Sequence, residues 1–218
     1  MGSFFGVKHT FKNMARCEPD ALCPEIKCWN ARRLDSVWEI VSNGEQSQST
    51  IPFWAIVWPG SRALGRFILD HPTEFEGKRV LDAACGSGLA SIAATLAGAS
   101  VLAMDSDPCA TEAATLTAAL NRVNFEIETG DAFCEATLTR FKPDIIVSGD
   151  VFYESSLATI ATRFFQIAAQ AGVRIIAADP GRYHRPPGIF TVMEKVRIPV
   201  LPDVEGIRWR DTFLLTLA

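Results

Sequence analysis

The stretch from Arg79 to Pro108 constrains the fold more than any other part of the chain. A short apolar run ends at Asp82, the sequence then breaks at Gly86 and Gly88, and an alanine-rich helical pattern follows. A second apolar run closes the stretch and ends at Asp105. This order of strand, glycine loop, helix and strand predicts one βαβ unit with a parallel strand pair.

The same stretch predicts a ligand that contains a nucleoside. Glycines let backbone N–H groups approach a ligand at a helix N-terminus, and Asp105, at the tip of the second strand, can accept hydrogen bonds from ribose hydroxyls. Ser91 stands where a dinucleotide fingerprint has its third glycine, and Asp82 lies just before the loop. A nicotinamide-dependent oxidoreductase is therefore a weaker alternative.

Length and composition favour one α/β domain. The chain has 218 residues, of which 48% are hydrophobic, enough for one well-buried core. We expect a flexible leader over residues 1–21 and a single domain over residues 22–218. Within that domain, residues 22–60 form an N-terminal segment on the substrate side, and the polar stretch 42–50 is a surface loop.

Charge and cysteine spacing restrict the function classes. The net charge of −4 argues against a nucleic-acid partner, although arginines are frequent in the C-terminal third. No apolar run approaches the ~20 residues that a membrane span needs. The six cysteines include no Cys-x-x-Cys pair, which argues against a metal site or a disulfide framework. We expect a cytoplasmic bacterial monomer; the basic start of the chain leaves the mitochondrial matrix as an alternative.

The remaining chain predicts further strands and helices in alternation. Asp107 and Pro108 open a helix as N-cap and first helical residue, and Ser61 is a candidate cap for an earlier helix. Residues 194–200 and 209–217 predict two strands that only a short link joins, hence an antiparallel hairpin. The predicted fold is a mostly parallel seven-stranded sheet that ends in this hairpin, with helices on both faces.

The first motifs are similar to those of S-adenosylmethionine (SAM)-dependent methyltransferases with a Rossmann-like fold. The residues that carry the resemblance are Asp82, Gly86, Gly88 and Asp105. In that family the glycine loop lies against the methionine part of SAM and the acidic residue holds the ribose; S-adenosylhomocysteine is the product. The residues that the resemblance places around the cofactor are Trp58, Asp82, Cys85, Gly86, Ser87, Gly88, Asp105, Ser106, Asp131 and Asp150.

Four further blocks resemble a narrower group, the lysine methyltransferases of the electron transfer flavoprotein β subunit and their bacterial relatives. The blocks are Pro24-Glu25-Ile26, Phe53-Trp54 with Trp58-Pro59-Gly60, Asp150-Val151-Phe152-Tyr153 and Asp179-Pro180-Gly181-Arg182. The resemblance implies Asp150 and Tyr153 as catalytic residues and Glu25, Phe152, Tyr153 and Arg182 as substrate-binding residues. It also implies a protein substrate; a small amine of the nicotinamide type and a non-catalytic nucleoside-binding module remain alternatives.

Several of these residues have structural alternatives. Asp150 could cap a helix that begins near Ser155, and Tyr153 could be a core residue. Asp131 follows the third predicted strand, where an acid can bind the adenine amino group in the methyltransferases that the chain resembles, but a helix N-cap is an equal alternative. The tryptophans at 54 and 58 could belong to the core.

Overall fold

The computed structural model describes residues 15–31 and 52–218. Within these ranges the chain forms nine strands, six α-helices and two short 3₁₀ helices, Phe53–Ala55 and Pro72–Glu74. None of the helices in these ranges has the length and apolar character that crossing a bilayer requires. The strands are β1 (Ala15–Pro19), β2 (Lys27–Ala31), β3 (Arg79–Ala83), β4 (Ser100–Asp105), β5 (Glu126–Thr129), β6 (Ile145–Gly149), β7 (Arg174–Asp179), β8 (Phe190–Pro199) and β9 (Trp209–Leu217). The helices are α1 (Pro59–Asp70), α2 (Leu89–Leu96), α3 (Pro108–Asn121), α4 (Glu135–Phe141), α5 (Ser155–Gln170) and α6 (Pro202–Glu205).

The main sheet has seven strands in the order β5-β4-β3-β6-β7-β9-β8. The first five are mutually parallel, whereas β9 runs antiparallel to β7 and pairs with β8 as an antiparallel hairpin. The predicted fold class and the terminal hairpin are confirmed. Because β4 and β6 lie on opposite sides of β3, the chain reverses its winding there, and ligands of such sheets bind at the carboxyl ends of the strands around that point.

Helices cover both faces of the sheet because apolar residues alternate along its central strands. On one face Leu64, Ile68 and Ile92, from α1 and α2, belong to a fully buried cluster. On the other face, Phe164 and Phe165 of α5 fill a second cluster. The strands between them are rigidly held, which fixes the positions of the residues at their carboxyl ends.

Helix α1 begins three residues earlier than a Ser61 cap requires, so that prediction is wrong. Trp58 is the N-cap, and its side chain makes no capping hydrogen bond. Pro59 occupies the first helical position, where its missing N–H and fixed φ cause no penalty. The first N–H groups of this helix are instead bound by a side chain from the carboxyl end of β6, described below.

The N-terminal hairpin, β1 with β2, differs from the flexible leader expected over residues 1–21. Residues 15–19 pair with residues 27–31 in an antiparallel register. Asp20 follows β1, and its buried carboxylate accepts N–H bonds from Leu22 and Cys23 and pairs with Arg62 of α1 at 2.7 Å. A buried carboxylate with a buried arginine partner ties this segment to the domain. Residues 1–14 of the expected leader lie outside the described ranges.

Candidate active site

A cavity of about 450 Å³ opens at the carboxyl ends of β3, β4 and β6, where the topology predicts a ligand. Its wall combines aromatic rings, small residues and carboxylates. The residues that line it are Phe53, Trp54, Trp58, Ala84, Gly86, Asp105, Ser106, Asp107, Ala110, Asp131, Ala132, Phe133, Gly149, Asp150, Val151, Tyr153, Leu157, Ile160 and Arg182.

The two glycines of the loop after β3 have different roles. Gly86 lines the cavity at φ +53°, and a Cβ built on it would meet no heavy atom of the described chain within 4 Å. Gly88, at φ +81°, is the N-cap of α2, and a Cβ there would lie 2.9 Å from the Cβ of Ala114 in α3. Gly86 therefore leaves space beside the cavity, whereas Gly88 allows two helices to approach closely.

Asp105 joins the glycine loop to the end of β4. Its Oδ2 accepts the Gly86 N–H at 3.0 Å, and its Oδ1 accepts the Asp107 N–H at 3.0 Å. Burial raises its pKa, and the two N–H donors oppose that change. Asp105 thus fixes the loop and also faces the cavity, where its carboxylate oxygens have lone pairs left for further donors.

Four predicted cofactor residues lie behind the loop and do not line the cavity. Asp82 is buried, and it accepts the Ser91 hydroxyl at 2.5 Å; burial raises its pKa to about 7. Ser91 therefore replaces the third glycine of a dinucleotide fingerprint with a hydrogen bond that holds α2 to β3. Cys85 and Ser87 are each 4% exposed, and Gly88 faces Ala114. Among the predicted loop residues, only Gly86 reaches the cavity.

Asp131 and Ser106 both line the cavity. Asp131 accepts the Phe133 N–H at 2.9 Å, an Asx turn that leads from β5 toward α4. Helix α4 begins only at Glu135, with Cys134 as its N-cap, so the helix-cap alternative for Asp131 is wrong. The adjacent Phe133 ring, which the sequence did not single out, belongs to the same wall.

Three aromatic rings form one wall of the cavity. The Phe53 ring lies 5.6 Å from Trp58 and 5.0 Å from Tyr153, measured between centroids, and Trp58 Nε1 donates to the Phe53 carbonyl. Tyr153 is 44% exposed, so it is not a core residue, and partial burial raises its pKa. The Arg182 guanidinium lies 5.8 Å from the Trp58 centroid, a cation–π distance.

Asp150 follows β6 and binds the N-terminus of α1. Its Oδ2 accepts the N–H groups of Gly60 at 2.6 Å and Ser61 at 3.3 Å, ninety and eighty-nine residues away in sequence. It adopts φ +58°, a left-handed conformation that is uncommon for aspartate. Helix α5 has Glu154 as its N-cap, so the alternative that Asp150 caps that helix is wrong.

The second oxygen of Asp150 is a buried polar atom of the cavity wall without a partner. Oδ1 is buried and has no hydrogen-bond partner within the described ranges. Burial raises the pKa of Asp150 to about 7, whereas the nearby Arg182 charge and the Gly60 N–H favour the ionised form. Asp179 raises the pKa further, so the carboxyl can change its charge near neutral pH.

The predicted substrate-binding residues separate into two groups. Tyr153 and Arg182 line the cavity. Phe152 is fully buried, and its ring centroid lies 5.4 Å from that of Phe190. Glu25 lies on the surface and pairs with Arg66 at 3.0 Å. The loop expected over residues 42–50 lies outside the described ranges.

Sequence reasoning missed several lining residues. Leu157 and Ile160 lie on α5 and have no signal that separates them from other apolar positions of an amphipathic helix. Ala84 and Ala110 carry no reactive group and are visible only as parts of the cavity wall.

The residues present fit SAM on observations of the cavity itself. Gly86 leaves open space, Asp105 offers carboxylate oxygens for ribose hydroxyls, and Trp58 and Phe133 provide apolar surface for a base. The cavity lining contains four aspartates and one arginine, and this excess of acidic residues suits the positive sulfonium of SAM and a positive amine.

Comparisons with known proteins agree with this description. The family model for ribosomal protein L11 methyltransferase (PrmA) matches residues 67–176. The chain is 44% identical over 164 residues to the rat electron transfer flavoprotein β subunit lysine methyltransferase, which covers 74% of the chain and 59% of the rat protein. It is 32% identical over 178 residues to the homolog from Caenorhabditis elegans, covering 75% of the chain and 72% of that protein.

Solved structures share the fold at low identity. The Thermus thermophilus 16S rRNA N2 G1207 methyltransferase (RsmC), in complex with AdoMet and guanosine, has a TM-score of 0.59 at 18% identity and covers 92% of this chain and 50% of that one. TrmN from Thermus thermophilus has a TM-score of 0.50 at 20% identity and covers 84% and 53%. The chain spans 59% of the rat relative's length. It belongs to the SAM-dependent methyltransferase family that the PrmA model describes, and its relatives include the electron transfer flavoprotein β subunit lysine methyltransferases.

Proposed function

We propose that the protein is a SAM-dependent N-methyltransferase that methylates lysine side chains of a protein, with the electron transfer flavoprotein β subunit as the first candidate substrate. Its relatives carry that name at 32% to 44% identity. The observation that carries the proposal is the buried, unpartnered Oδ1 of Asp150 in the wall of the cavity that Gly86 and Asp105 also line.

The donor side of the cavity is the part formed by Gly86, Asp105, Ser106 and Asp131. When bound, SAM supplies an electrophilic methyl group on a sulfonium. The chain contributes the Asp105 carboxylate, already oriented by two backbone N–H groups, as an acceptor for ribose hydroxyls. Because this carboxylate does not have to reorganise, it can position the ligand at little entropic cost.

The acceptor side must remove a proton from the incoming amine. Free lysine has a pKa near ~10.4 and is almost wholly protonated at neutral pH, so its lone pair is not available for attack. Asp150 offers an oxygen that no protein group binds, on a carboxyl whose pKa is about 7. That value lets it take the ammonium proton at physiological pH and release it again to water.

The aromatic wall supports the same step. Phe53, Trp58 and Tyr153 surround the amine with apolar rings, and removal of water favours the neutral amine over the ammonium. The Tyr153 hydroxyl, kept neutral by its raised pKa, is a hydrogen-bond acceptor for the amine N–H.

The first experiment tests donor binding. Calorimetric titration with S-adenosylhomocysteine, followed by thermal shift with SAM and with NADH, should give tight binding and a higher melting temperature for the SAM-type ligands only. A larger stabilisation by NADH would reject the methyltransferase proposal in favour of an oxidoreductase.

The second experiment identifies the acceptor. The protein is incubated with methyl-labelled SAM and, in separate samples, purified electron transfer flavoprotein, a cell lysate, its RNA fraction, and nicotinamide. Label on a lysine of the β subunit, located by mass spectrometry, supports the proposal. Label only in nicotinamide or in RNA would refute the protein-lysine assignment, and donor binding without any transfer would indicate a non-catalytic module.

A further inference from the structure

Asp150 and Arg182 both line the cavity, but they do not form a direct hydrogen-bonded pair. Asp150 Oδ1 is buried without a hydrogen-bond partner in the described ranges, and Arg182 Nε is in the same condition. Both residues line the cavity, and Arg182 is the strongest charge that favours ionised Asp150. A carboxylate and a guanidinium that share a cavity normally form a direct, often bidentate pair.

Glu205 accounts for the missing pair. It ends α6, in the link between β8 and β9, and its side chain is 5% exposed. One oxygen accepts Arg182 Nη2 at 3.0 Å, and the other accepts Arg210 Nη2 of β9 at 2.5 Å. A carboxylate held by Arg210 on one side therefore binds Arg182 on the other, in surroundings that strengthen both bonds.

Two further contacts fix Arg182 in the same place. Its backbone N–H donates to Asp179 Oδ2 at 3.0 Å, just after Gly181 turns the chain at φ +81°. Its guanidinium lies over Trp58. The backbone turn, the ring and Glu205 together hold the guanidinium in a position where it makes no hydrogen bond to Asp150.

We infer that Glu205 is a positioning residue that withholds Arg182 from Asp150, so that the free oxygen of Asp150 remains available to the substrate amine. This inference rests on the proposed function, because it assigns that oxygen to an amine. It makes the C-terminal hairpin part of the acceptor site although Glu205 itself does not line the cavity.

The decisive variant is Glu205→Gln, which keeps the size of the side chain and removes the charge that holds Arg182. Arg182 should then turn to Asp150, and a direct arginine pair lowers a carboxyl pKa by about one to three pH units. Besides the Arg182 charge, the groups that already act on this carboxyl are the N–H groups of Gly60 and Ser61, and the charge of Asp179. Carbon-13 NMR titration of the Asp150 carboxyl, assigned with Asp150→Asn, measures the change without any need for turnover.

A second background separates pairing from a simple charge effect. Loss of the Glu205 charge also lowers the pKa of Asp150 through space, so Glu205→Gln is compared in the native chain and in Arg182→Gln. If Arg182 pairs with Asp150, Glu205→Gln should lower the pKa of Asp150 clearly more in the native chain than in Arg182→Gln. Equal decreases in both backgrounds, or none, would overturn the inference.

Kinetics supply the functional readout. Methyl transfer by Glu205→Gln should fall about 10- to 100-fold in kcat, with the affinity for S-adenosylhomocysteine unchanged, because the base is blocked and the donor side is intact. Glu194→Gln removes an equal charge from an exposed position of the same hairpin and should change neither value. A drop in melting temperature with normal kcat would show that Glu205 only stabilises the hairpin.

Glu205→Asp keeps the inference testable if the glutamine variant does not fold. It preserves the charge but shortens the side chain by one methylene, so it loosens Arg182 without a through-space change. A smaller decrease in the pKa of Asp150 is expected, and no decrease would contradict the inference. If the unmutated protein methylates nothing, the proposed function fails, whereas the NMR titration still decides whether Glu205 controls Arg182.

Discussion

Asp150→Asn should stabilise the fold while it removes most of the activity. The asparagine oxygen can still accept the N–H groups of Gly60 and Ser61, and asparagine tolerates the φ of +58° found here. What is lost is the negative charge, and that charge is buried with one oxygen unpartnered. We therefore expect turnover to fall about 100-fold or more, the scale of a lost acid or base.

The size and sign of the stability change follow from the pKa. Burial raises the pKa of Asp150 from its usual 3.8 to about 7, so the fold disfavours the ionised form. A carboxyl with a raised pKa destabilises the fold increasingly as pH rises from the unfolded value toward the folded value, and constantly above it. The difference between the folded and unfolded pKa corresponds to at most about 4 kcal/mol of free energy of unfolding. Because Asp150 also borders the open cavity, we expect Asp150→Asn to stabilise the fold by about 1 to 3 kcal/mol.

Urea unfolding of both proteins at pH 5 and pH 8 measures this directly. The stability advantage of Asp150→Asn should be small at pH 5 and larger at pH 8, with equal m-values. Asp144→Asn is a control of opposite sign, because the Arg79 N–H lowers the pKa of Asp144, and the substitution should destabilise the protein at both pH values.

Two results would refute this account of Asp150. If Asp150→Asn is less stable than the native chain at pH 8, the charge is needed to hold the N-terminus of α1, and the residue is chiefly structural. If single-turnover methylation is unchanged, Asp150 is not the proton acceptor.

Three further substitutions test the geometry. Gly60→Ala should lower the free energy of unfolding by about 1 to 3 kcal/mol or more, since its Cβ would lie 2.5 Å from Asp150 Oδ2 and 2.7 Å from the Ala178 carbonyl oxygen. Alanine favours a helix more than glycine does, so a variant that urea unfolds less easily than the native chain would contradict this close packing. Gly86→Val should keep the fold at a cost of about 1 to 2 kcal/mol for its φ of +53° and weaken S-adenosylhomocysteine at least about tenfold by filling the open space, and unaltered calorimetric affinity would place the ligand elsewhere. Asp105→Asn should weaken the same ligand about tenfold, because one of the acceptors that face ribose becomes a donor; a variant that binds normally would remove Asp105 from the site.

The sequence alone determined the features that depend on neighbouring residues. The βαβ unit follows from two apolar runs around a glycine loop, and the start of α3 follows from Asp107, which accepts the Cys109 N–H at 2.8 Å. The antiparallel hairpin followed from the shortness of the link between β8 and β9. Such features are local because a few consecutive residues contain both the hydrogen-bond donor and its acceptor, or both ends of a turn.

Resemblance added residues that local patterns could not select. It selected Asp150, Tyr153 and Arg182, which line the cavity. It also selected Phe152, which is buried, and Glu25, which pairs with Arg66 on the surface. A motif names positions along the chain, whereas the direction of each side chain depends on the turn that follows the strand.

Only the tertiary structure decided how the acceptor side is built. Gly60 and Asp150 meet across ninety residues, and Glu205 reaches Arg182 across twenty-three. These contacts arise because the N-terminus of α1, the residues that follow β6 and β7, and α6 converge at one edge of the sheet. No spacing in the sequence encodes that convergence, since it depends on how helices and strands pack over the whole core.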